Sequence, residues 1–113
     1  MSERNCIFCK IANKEIKTDI LLESDDYVAF RDMHPQAPFH ALIIPKKHYD
    51  SLNAVDDIEI TGKLLEGAKK LAEKYSIKNG YRIIINTGEE AGQTVFHIHL
   101  HVLGGRPMLW PPG

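Results

Sequence analysis

The chain has 113 residues, 43% of them hydrophobic and 26% charged, values of an ordinary globular protein that argue against intrinsic disorder. At that length one domain, residues 1–113, is expected, with roughly two-thirds of its surface buried on folding. Fourteen Lys+Arg against fifteen Asp+Glu leave a net charge of −1, which excludes a polyanion-gripping tail and gives no basic excess for non-specific nucleic-acid binding. No apolar run approaches the roughly 18 to 20 residues of a membrane span, and Met1 to Asn5 lacks the apolar segment of a secretory signal. Its two cysteines, Cys6 and Cys9, are spaced C-x-x-C, too close to staple a fold, and read as reduced thiols in a cytoplasmic chain.

Asn5 is placed to cap a short helix running through Cys6, Phe8 and Ile11 to about Ala12. Ile20–Glu23 and Tyr27–Phe30 read as strands of a hairpin turned at Ser24-Asp25-Asp26. Pro35 and Pro38 mark 33–39 as loop, and Ala41–Ile44 is a central strand stopped by Pro45. From Asp56 to Tyr75 the period changes: Leu64, Leu65, Ala68, Leu71, Ala72 and Tyr75 form one helical stripe, with Lys63, Lys69, Lys70 and Lys74 as a solvated face. Lys78-Asn79-Gly80 is expected to stop that helix. Tyr81–Asn86 is a strand, a loop with Gly88 and Gly92 follows, and Phe96–Leu103 is the last strand, broken at Gly104-Gly105. A helix, three strands, a long helix and two strands make an α+β protein, since no strand–helix alternation supports a parallel doubly wound sheet.

The chemistry concentrates in Phe96-His97-Ile98-His99-Leu100-His101-Val102. Strand alternation puts His97, His99 and His101 on one face within about 14 Å. Two chemistries use such a row: metal ligation by converging imidazoles, and nucleophilic or acid–base catalysis by a neutral one. The preceding Asn86-Thr87-Gly88-Glu89-Glu90-Ala91-Gly92-Gln93-Thr94 lacks the Gly-Lys-Ser/Thr of a Walker loop. Its glycines still allow backbone N–H groups to approach an anion, which suggests a phosphate held against an imidazole.

His97-Ile98-His99-Leu100-His101-Val102-Leu103 resembles the histidine triad (HIT) motif, His-φ-His-φ-His-φ-φ, without departure. The likeness extends through Phe30-Arg31-Asp32-Met33, Pro35–Pro38, His40, Ile44–His48, Gly92–Phe96, Leu103–Pro107 and Trp110–Gly113, and looks like the Hint branch of histidine triad nucleotide-binding proteins. The resemblance implies a HIT-like fold, a five-stranded antiparallel sheet with one long and one short helix, two sheets joining in a homodimer. It implies a purine nucleoside phosphoramidase that binds an AMP-like nucleotide and cleaves the P–N bond of adenosine 5′-phosphoramidates, with His99 attacking phosphorus. His101, His97, His40 and Thr94 would serve the same chemistry. Asp32 would bind the ribose; Ile7, Phe8, Ile11, Phe30, Met33 and Leu42 would hold the base; Asn86, Gly92, Gln93, Thr94 and Val95 would surround the phosphate. Trp110 either packs on its own core or, as the resemblance implies, reaches the partner subunit's pocket.

The resemblance also offers a structural zinc set, Cys6, Cys9, His48 and His97, with buried thiols as the alternative. In relatives lacking the cysteines the position of His97 instead joins a relay with that of His40, and one imidazole does not serve both. No cofactor is expected for catalysis. Two other functions stand beside the phosphoramidase: a nucleotide-binding or scaffold protein with incidental turnover, and a zinc-dependent hydrolase using the triad histidines as ligands.

Overall fold

Ser24 turns the first hairpin by accepting hydrogen bonds at Oγ from the backbone N–H groups of Asp26 and Tyr27, 3.1 and 3.2 Å away. It joins β1 (Ile20–Glu23) to β2 (Tyr27–Arg31). The computed structural model describes residues 5–113, and continues with β3 (Phe39–Pro45), α2 (Ile58–Lys74), β4 (Tyr81–Ile84) and β5 (Leu100–Gly104), after a leading α1 (Ile7–Ala12). The five strands form one antiparallel sheet in the order β1-β2-β3-β5-β4, the α+β architecture expected.

The sheet buries both faces. Tyr27, Ala29, Phe39, Ala41, Ile43, Leu100 and Val102 point to α2, where Leu64, Ala68, Leu71 and Ala72 meet them. Each large aliphatic side chain buried there contributes about 1.5 to 3 kcal/mol. The alternate residues Val28, Phe30, Leu42 and Ile44 point the other way, toward Phe8, Cys9, Ile11 and Ala12 of α1. Leu65 faces solvent rather than joining the helical stripe, and Gly67 takes the buried position because a Cβ there would lie 3.1 Å from the Tyr27 ring.

Several boundaries differ from expectation, each for a local reason. Cys6, not Asn5, is the N-cap of α1, its Sγ accepting from the Cys9 N–H at 3.4 Å. Helix α2 ends at Lys74, ahead of Lys78: Tyr75 caps it, Ser76 follows at φ 60°, and Ile77 N–H closes back onto the Ala72 carbonyl at 2.9 Å. Strand β4 stops at Ile84. Strand β5 begins at Leu100, not Phe96: ahead of it the backbone leaves the ladder, and Ile98 N–H donates to the Tyr49 carbonyl at 2.7 Å. Only His101 of the three histidines is therefore a strand residue. Among the described residues no helix is long and apolar enough to cross a membrane.

Candidate functional site

On the α1 side of the sheet, β3 and β5 pair so that Leu42 faces His101 and His40 faces Leu103. His40 and His101 are thus diagonal neighbours, and their rings meet at Nε2···Nδ1 2.9 Å. Ahead of β5, His97 and His99 follow on the same side, buried at 0% and 7% exposure.

A cavity of about 360 Å³ opens beside them, within the size range of small-molecule sites. Ile7, Phe8 and Ile11 from α1, Phe30 of β2 with Asp32 and Met33 just after it, and Leu42 from β3 line it. Asn86, Gly92, Thr94, Val95, His99 and His101 complete it, so all but one of the residues expected around a nucleotide meet here. Gln93 is the exception. Its buried side chain accepts from Gly88 N–H at 2.8 Å and donates to the carbonyls of Asp50 and Val95, bracing the loop from inside. Gly92, at φ 89°, supplies the left-handed turn that Gln93 braces. Thr18, Arg31 and His34 also line the cavity; Arg31 fell within the motif likeness, but none of the three was expected around the nucleotide. The Arg31 guanidinium is turned away, 3.2 Å from Asp19 and over the Phe39 ring, so it brings no charge to the pocket.

The hydrogen-bond partners fix the tautomers. His99 Nδ1 lies 2.8 Å from the His97 carbonyl oxygen, which only accepts, so Nδ1 carries the hydrogen and Nε2 the lone pair. Burial lowers the pKa of His99, opposed by that hydrogen bond and by Asp32, so the ring is neutral near pH 7. His101 is pulled down to about 4, by burial first and then by its neighbours His99 and His40. His40 is also lowered, by burial, against the attraction of Asp32. Gln36 N–H donates to His40 Nδ1 at 3.0 Å; His40 therefore donates from Nε2 to His101 Nδ1, and His101 holds its hydrogen on Nε2. Asp32 accepts from His34 N–H at 2.7 Å and places its other oxygen 3.4 Å from His40 Nε2.

His97 belongs to a different cluster. Its Nδ1 lies 3.3 and 3.5 Å from Cys6 and Cys9 Sγ, and its Nε2 donates to the Pro45 carbonyl at 2.8 Å. Both ring nitrogens are thus engaged away from His40, and the His40 contact goes to His101. His48 repeats the pattern, with Nδ1 3.2 Å from Cys9 Sγ and Nε2 donating to Asp50 at 2.7 Å. The four donor atoms of Cys6, Cys9, His48 and His97 lie within 4.8 Å of one another, and no disulfide joins the cysteines. Two thiols and two imidazole lone pairs, each imidazole oriented by an acceptor behind it, fit a tetrahedral Cys₂His₂ metal site. The three triad rings, by contrast, turn to three different partners and do not converge on one metal. Trp110 does not pack on its own core: it is 82% exposed.

The family profile described as HIT domain matches residues 13–108. The chain is 48% identical over 112 residues to the 14 kDa zinc-binding protein of Zea mays, covering 95% of this chain and 87% of that one. It superposes on the crystal structure of a HIT family hydrolase from Legionella pneumophila Philadelphia 1 with a TM-score of 0.93 at 51% identity, covering 96% and 100% of the two chains. The histidine triad nucleotide-binding protein of Candida albicans matches with a TM-score of 0.83 at 32% identity, covering 95% and 83%.

Proposed function

This chain belongs to the HIT family, and on that premise we propose that it is a phosphoramidase that binds purine nucleotides and cleaves the P–N bond of adenosine 5′-phosphoramidates. The observation that carries the reading is the fixed tautomer of His99: a neutral, buried ring on the cavity wall whose Nδ1–H is taken by a carbonyl and whose Nε2 keeps its lone pair. That is the state a nucleophilic imidazole needs.

In this reading the base lies among Ile7, Phe8, Ile11, Phe30, Met33 and Leu42, and Asp32 accepts from the ribose hydroxyls. His99 Nε2 forms a bond to phosphorus as the P–N bond breaks, and the departing nitrogen takes a proton. Thr94, exposed at the cavity, and the His40–His101 pair are the groups this chain offers for that proton. His101 Nε2–H, Asn86 and the backbone at Thr94 and Val95 hold the phosphoryl oxygens with neutral donors. Water then displaces Nε2 from phosphorus, releasing AMP and restoring neutral His99.

Cys6, Cys9, His48 and His97 are assigned as ligands of a structural zinc, which would tie α1 to the sheet and supply no step of the reaction. The donor set supports this, and a relative carries zinc binding in its name. We assign a homodimer too, since β4 is an edge strand and Leu109 and Trp110 are 77% and 82% exposed beyond it.

The test is hydrolysis of an adenosine 5′-phosphoramidate by wild type and His99→Ala, with and without EDTA. EDTA-resistant AMP release that disappears in His99→Ala is expected. Equal rates in both proteins would remove His99 as the nucleophile. AMP binding without turnover in either would favour a binding module.

A further inference from the structure

Arg106 follows β5 and lies outside the cavity wall. Its guanidinium crosses to the loop 33–38 and gives two hydrogen bonds to one oxygen, the Gln36 carbonyl, from Nε at 3.3 Å and Nη2 at 3.0 Å. Nη1 donates to the Pro107 carbonyl at 3.0 Å, which fixes the plane of the group. The close approach depends on Gly105, at φ 90°, where a Cβ would lie 2.9 Å from that of Pro38. Gln36 is thereby held at its carbonyl while its N–H points at His40 Nδ1, 3.0 Å away.

That single N–H decides the state of the next two rings. A backbone N–H only donates, so it keeps the lone pair of His40 on Nδ1 and the hydrogen on Nε2, facing His101 Nδ1 at 2.9 Å. His101 then presents N–H, not a lone pair, on its other side. The arrangement has a nearby competitor, since Asp32 Oδ2 stands 3.4 Å from His40 Nε2 and 3.9 Å from His101 Nδ1. A small rotation of His40 would hand its hydrogen to the carboxylate and free His101 to take the opposite tautomer. We propose that Arg106 is a positioning residue: by clamping Gln36 against His40 it holds the hydrogen of His101 on Nε2, where a phosphoryl oxygen needs a donor.

The importance for turnover rests on the phosphoramidase reading above; the tautomer claim does not. The experiment therefore has two arms. In the resting protein, long-range ¹H–¹⁵N NMR of the imidazole rings should show His101 as one Nε2–H tautomer in wild type and as a mixture in Arg106→Met. With adenosine 5′-phosphoramidate, Arg106→Met should lower kcat about ten- to a hundredfold, the scale of a misplaced catalytic group. KM should stay within about twofold, because the clamp touches no substrate. Arg106→Lys, which keeps one donor for the carbonyl, should recover part of the lost kcat. Arg106→Gln takes the place of Arg106→Met if the latter's unfolding midpoint shows that it folds poorly. An unchanged His101 tautomer in the folded variant, or an unchanged kcat in an active enzyme, overturns the proposal. A wild type without phosphoramidase turnover would defeat the functional reading and leave the NMR arm to decide the clamp.

Discussion

His99 donates its Nδ1–H to the carbonyl oxygen of His97 at 2.8 Å, while the ring of His97 lies against the thiols of Cys6 and Cys9. One residue thus serves two clusters, its side chain toward the cysteines and its backbone toward the cavity. Cys9→Ser is expected to lower the bound zinc from one equivalent toward none. As the anchor of His97 loosens, kcat should fall about tenfold, the scale of a lost supporting contact. Metal analysis alongside turnover checks this; metal loss with kcat intact would show that the two clusters are independent.

Asp32 offers a carboxylate to the cavity close to both His40 and His101. Asp32→Asn should lower kcat/KM for a ribonucleotide substrate much more than for its 2′,3′-dideoxy analogue. A charged hydrogen bond is worth about 1.5 to 3 kcal/mol, so the double comparison should show a coupling of that size. Equal losses on both substrates would assign Asp32 to the histidines alone.

Part of the pH response follows from His101, whose folded pKa is about 4, against the ordinary 6.5 of an exposed imidazole. Between those values the unfolded chain binds the proton and the folded one does not. The stability tied to this ring is complete above pH 6.5 and falls as pH drops from 6.5 toward 4. Unfolding midpoints measured across that window should slope less in His101→Gln than in wild type. An identical slope would mean that His101 does not carry the effect.

Gly105 combines φ 90° with a close approach to Pro38. Gly105→Ala should cost about 1 to 3 kcal/mol in denaturant unfolding, since an L side chain is strained there and collides as well. A cost under half that would show that the loop 33–38 yields easily.

The architecture was legible because its signals are local: the Ser24-Asp25-Asp26 turn, the stripe of Leu64, Ala68 and Leu71, the apolar run of β3. The residues named through the motif likeness line one cavity, Gln93 apart. What escaped depends on contacts made across the chain. The row of alternating histidines read as strand, but Tyr49 draws Ile98 off the ladder, and strand propensity carries no trace of that carbonyl. The His40–His101 pair needed the register of β3 on β5, and the clamp by Arg106 needed the path of a loop. Just past α2, Ser76 takes a positive φ that the sequence pattern would assign to a glycine.

The two faces of the sheet are covered unequally. A 17-residue helix lies on one and a 6-residue helix on the other, and the cavity opens on the second face beside α1. A nucleotide seated there would act as a missing layer of the protein, so occupancy and folding would be one equilibrium. AMP at about one hundred times its dissociation constant would add about 2.7 kcal/mol to stability, and would raise the melting temperature of His99→Ala as well as that of wild type. The molecule would then be most vulnerable to heat and proteases when its ligand is scarce, with its lifetime following the supply of what it binds.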